Sequence, residues 1–109
     1  MANKHVYIIV EDSRIIVNPE TVHVSLSHGE SVVWHSPQGQ AEISFAREPK
    51  GSPFVSERFG VSTGGTAGSG APIRGKVHQT YKYSVDVTLP NDRRKPPTLD
   101  PQVVVDNGA

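Results

Sequence analysis

The chain contains no cysteine. A disulfide, a thiolate metal ligand and a cysteine nucleophile are therefore all excluded. Sulfur is confined to one methionine, Met1. Charge excess is also missing, because eleven Lys and Arg offset eleven Asp and Glu. A nucleic-acid binder usually carries a strongly basic surface, so no nucleic-acid partner is expected. No apolar run approaches the roughly 20 residues that span a bilayer, so no membrane association is expected. The opening "MANKHVYIIVEDSR" lacks the long apolar core of a secretory leader, since Glu11 and Asp12 end its short one. The chain is read as cytoplasmic, with a mature form whose leader has been removed as the alternative. Helical periodicity of useful length is absent as well, because proline and glycine interrupt every candidate segment.

What is present has a period of two. With 109 residues, 35% of them hydrophobic, the chain fits one domain over residues 1–109. In "TVHVSLSHG", Val22, Val24 and Leu26 share one face and polar residues the other. "HVYIIV" is apolar on both faces, as a central or doubly covered strand would be. "RIIV", "SVVWHS", "AEISFA" and "PQVVVD" read as further strands. The longest alternating segment is "KVHQTYKYSVDVTLP", where Tyr81, Tyr83, Val85 and Val87 share a face. Trp34 is read as a core residue, with a surface position and His35 facing inward as the alternative because the strand parity is ambiguous there. Phe45, Phe54 and Phe59 are read as core, with an exposed contact patch near the glycine loop as the alternative. About seven to eight short strands with turns between them predict an all-β Greek-key sandwich or barrel.

Four stretches, in order, resemble the cupredoxin family of small blue-copper proteins. "NPETVHVSLSHGESVVWHS" is similar to its early strands, and "AEISF" to the strand that opens with a copper-binding histidine. "HQTYKYSVDV" is similar to its late "Y-x-Y-x-C" strand, and "LDPQVVVD" to its closing strand. The resemblance spans most of Asn18 to Asp106 and implies the cupredoxin sandwich. It does not carry over the copper centre. A blue-copper site takes a thiolate, two imidazoles and usually an axial methionine. The first histidine position falls here on Ala41 and the cysteine position on Val85. The following loop, "TLPNDRRKPPTLDP", holds neither histidine nor methionine. No cofactor is expected.

Several constellations remain. "GGTAGSG" looks like the phosphate loop of tubulin-like GTPases, but Pro72 and Gly75 break any helix after it and no lysine-serine pair follows. It reads as a flexible crossing between strands. Of the five histidines, His23 and His35 lie on strands that could be neighbours, with Glu20 or Glu42 as an added oxygen ligand. They are the weak metal candidates. Arg93, Arg94 and Lys95, held between prolines and an Asn-Asp turn, form a basic loop and are the partner-binding candidates. No "G-x-S-x-G" elbow or paired carboxylate marks a hydrolase, so no catalytic residue is assigned. The preferred reading is a non-catalytic interaction module, with a homodimer through an edge strand such as "TYKYSVDV" as one form of it. A histidine/carboxylate metal-binding protein and a small enzyme are the alternatives.

Overall fold

Ten strands form in the computed structural model, which describes residues 3–12, 14–46, 51–73, 79–89 and 98–106. They are β1 (Asn3–Glu11), β2 (Arg14–Asn18), β3 (Thr21–Ser25), β4 (Ser31–Ser36), β5 (Gln40–Ser44), β6 (Arg58–Val61), β7 (Gly65–Gly68), β8 (Gln79–Lys82), β9 (Ser84–Thr88) and β10 (Gln102–Asp106). The described residues contain no helix. The architecture is all-β and sandwich-like. One sheet has the order β2-β1-β4-β7, and two three-stranded ladders have the orders β3-β10-β8 and β6-β5-β9.

The two smaller ladders are linked through a single chain segment. The β8–β10 register runs on past its last named pair: Tyr83 N–H donates to the Pro101 carbonyl, and Val85 exchanges both backbone hydrogen bonds with Leu99. Val85 also sits opposite Ile43 of β5. Since its own N–H and C=O are used on Leu99, β5 must pair along the other edge of the segment. Residues 79–85 thus pair on one side and 84–88 on the other, so the long alternating run serves two neighbours rather than one.

The alternation in sequence becomes the two faces of each sheet. Val6, Ile8, Val22, Val24, Val32, Trp34, Ile43, Val85, Val103 and Val105 all lie inside, each at most 4% exposed. Phe45, Phe54, Tyr81 and Tyr83 join them. Trp34 is the centre of an aromatic cluster. It meets Phe54 and Tyr83 edge-on at 6.5 and 5.7 Å, and Phe59 at 5.0 Å. Its indole N–H donates to the Tyr83 hydroxyl at 3.3 Å, so the one polar atom of the ring is satisfied in the core.

The sequence reading and the structure differ in four places. Ten strands replace seven to eight. "TYKYSVDV" breaks at Tyr83, where it passes from one ladder to the next. "RFGV" and the glycine-rich "GTAG" form the extra strands β6 and β7. β7 pairs antiparallel with Val33–Ser36 of β4 although glycine disfavours strands, because ladder hydrogen bonds need only backbone. Gly64, at φ 74°, turns the chain into it. Finally, β1 is central in its sheet but covered on one face alone: Tyr7 is 45% exposed.

Burial pushes the Tyr83 phenol up to about 12; the Trp34 hydrogen bond opposes the rise and the charge of Glu20 adds to it. A phenol raised above its unfolded value of about 10 holds in the folded state a proton that the unfolded chain has lost. The stability this confers is complete below pH ~10 and disappears as pH climbs towards ~12, by on the order of 2–3 kcal/mol. Burial raises Tyr81 in the same direction. Urea midpoints of wild type should therefore fall steeply across that window. Tyr83→Phe should show a shallower fall, and equal slopes would contradict a buried Tyr83.

Candidate functional site

The positions aligned with copper ligands are core positions. Ala41 is 1% exposed and Val85 is fully buried. Ala41 lies between Val61 and Val87, and Val85 between Ile43 and Leu99. Neither side chain carries a donor atom, and no residue nearby supplies the missing thiolate. The residues therefore do not fit a blue-copper ion. The basic-loop candidates Arg93, Arg94 and Lys95 lie outside the described residues.

The two metal candidates are not strand neighbours. His23 is on β3, beside β10, and its Nδ1 lies 3.9 Å from the Asp106 carboxylate. Both side chains are exposed, and an ion pair in that setting contributes little. His35 is on β4 in the other sheet. Its partner is His5, which has no spacing signal in the sequence. Because β1 and β4 run parallel with His5 beside Val33 and Tyr7 beside His35, the two histidines sit diagonally on one face. His5 Nδ1 and His35 Nε2 are 2.9 Å apart. Tyr7 stacks on His35 at 4.5 Å with the rings 17° from parallel.

These side chains belong to a larger surface. The outward row Asn18, Tyr7, His35, Thr66 crosses the whole four-stranded sheet, and His5, Val33, Gly68 runs beside it. Ile16 lies opposite Ile9 on the same side. Ile16 is 39% exposed, and a side chain built at Gly68 would meet nothing within 4 Å. The centre of this face holds no charged residue.

The outer face of the other layer is different. Glu42 stands directly opposite Asp86, and Arg58, opposite Ser44, is diagonal to Glu42 across the β5–β6 ladder. Two carboxylates face to face repel each other, and Asp86 is held by a hydrogen bond from the Thr98 hydroxyl. Opposed carboxylates with one flanking guanidinium make this a solvated face.

A hydroxyl–imidazole contact also occurs in the β3–β4 turn, where Ser25 Oγ lies 2.8 Å from His28 Nδ1. That hydroxyl also accepts the backbone N–H of His28 at 3.3 Å, and Glu30 accepts the Ser25 N–H at 2.7 Å. Among the described residues no carboxylate forms an ion pair with His28. The contact closes a turn, and the orienting acid of a catalytic triad is not on the imidazole.

Among the described residues no group of three or more His, Asp and Glu side chains gathers as a metal cluster. No described helix is long and apolar enough to cross a membrane. No family model, no curated protein and no solved structure matches this chain.

Proposed function

We propose that this chain is a cupredoxin-like Greek-key sandwich without a blue-copper centre, acting as a non-catalytic binding module. Its contact surface is the outer face of the β2-β1-β4-β7 sheet, and its ligand is a protein, a second copy of the chain included. The strand order supports the fold reading. The chain moves between layers after β2, β3, β4, β6 and β7, and its last strand returns beside β3. The replacement of ligand positions by buried Ala41 and Val85 supports the absence of a blue-copper centre.

One observation carries the functional reading: the contrast between the two outer faces. One presents Tyr7, Ile9, Ile16, Val33 and two imidazoles with no charge at its centre; the other presents opposed carboxylates beside Arg58. Protein contact surfaces are depleted of charge at their core and enriched in tyrosine. A sheet face with small residues at Thr66 and Gly68 is also flat enough to meet another flat surface.

A photo-crosslinking amino acid tests this when placed at Tyr7 and, in a separate variant, at Glu42. Irradiation in native extract should give discrete protein adducts from position 7 and none from position 42. Adducts from position 42 alone, or from neither, would contradict the assignment.

A further inference from the structure

We propose that His5 and His35 form a surface site for a divalent transition-metal ion, with Cu(II) held most tightly. The two facing nitrogens are 2.9 Å apart. One of them carries the proton of the hydrogen bond, and transfer of that proton through solvent to the far nitrogen of the same ring frees both lone pairs. With metal–nitrogen bonds of about 2.0 Å, two ligands stand about 2.8 Å apart at a right angle and about 3.3 Å apart at a tetrahedral angle. The observed separation falls within that interval. Rotation of the His5 ring about its side-chain bonds, without movement of β1 or β4, admits the ion.

The surroundings hold the pair in place. Both side chains rise from adjacent strands of a four-stranded sheet, so their separation is fixed by backbone pairing. Tyr7 stacks on His35 and restricts its plane. No carboxylate among the described residues forms an ion pair with either ring, and no third ligand joins them. The site is therefore an open one: two imidazoles from the protein, and water or an incoming donor group at the other positions. Imidazole suits Cu(II), Ni(II) and Zn(II), and the general affinity order puts Cu(II) first. The proposal rests on the imidazole geometry alone and does not depend on the contact face being a protein-binding surface.

The test is a Cu(II) titration of the untagged full chain, followed by calorimetry and by EPR. One equivalent should bind, with nitrogen hyperfine structure in the spectrum. His5→Gln and His35→Gln should each weaken binding by at least about tenfold, the lower end of what loss of even an orienting group costs a metal site. His23→Ala and His28→Ala should leave it unchanged, and Zn(II) should compete only weakly. The near-UV dichroism of buried Trp34 reports that each variant is folded. Unchanged affinity in folded His5→Gln, or loss in His23→Ala, would overturn the site, as would the absence of stoichiometric binding by wild type. Success here beside a failed crosslink at position 7 would leave the metal site standing without the contact surface.

Discussion

Trp34→Ala should lower stability by about 3–5 kcal/mol, the usual range for removing a buried large aromatic. The ring is fully buried and touches Phe54, Phe59 and Tyr83, which come from three different parts of the chain. It is therefore the piece that joins both layers. Its removal also leaves the Tyr83 hydroxyl without its indole donor in an apolar setting, which adds to the cost. A domain of this size has about 5–15 kcal/mol in total, so the loss is a large share of it. Thermal melts should shift by on the order of 15 °C or more. Trp34→Phe should recover part of the loss by refilling volume, though not the hydrogen bond. A shift of only a few degrees in Trp34→Ala would place the indole outside the core.

Ala41→His should be the more damaging test of the ligand positions. The resemblance to the copper-binding sandwiches implies a histidine ligand at this position. Here it is 1% exposed, on the inner face between Val61 and Val87. An imidazole at that point overfills the core, at about 1–3 kcal/mol, and buries polar nitrogens without partners, at about 1–3 kcal/mol more. Chemical denaturation should show a loss of several kcal/mol. Val85→Cys, nearly matched in volume and weakly polar, should lose far less. The reverse ranking, or a stable Ala41→His protein, would mean that the position still opens to solvent.

The inner faces were the most legible part of this sequence. Val22 and Val24, Ala41, Ile43 and Phe45, and Tyr81 to Val87 lie inside as their alternation predicts, because one face of a pleated strand must leave water. Trp34 also lies inside, a point its strand's ambiguous parity left open in the sequence. The strand break at Tyr83 was not legible, because the alternation continues unbroken from Tyr81 to Val87 while the hydrogen-bonding partner changes. β7 was hidden for the opposite reason. Its glycines carry no pattern, and only pairing with β4 makes "GTAG" a strand. His5 and His35 could not be matched from sequence. They are thirty positions apart, and their meeting depends on a parallel register that sequence does not encode locally. His23 looked equivalent to His35 by parity alone; it has the same outward parity on a different sheet.

We propose that metal and partner meet this chain on the outer face of the four-stranded sheet, not at the end where a cupredoxin holds copper. Paramagnetic broadening of amide signals by substoichiometric Cu(II) tests it most directly, in a two-dimensional proton–nitrogen spectrum of the full chain. Signals around His5, Tyr7, His35 and Thr66 should disappear first, while those of Glu42 and Asp86 persist. First loss at Ala41, Val85 and their neighbours, or around His23, would contradict it.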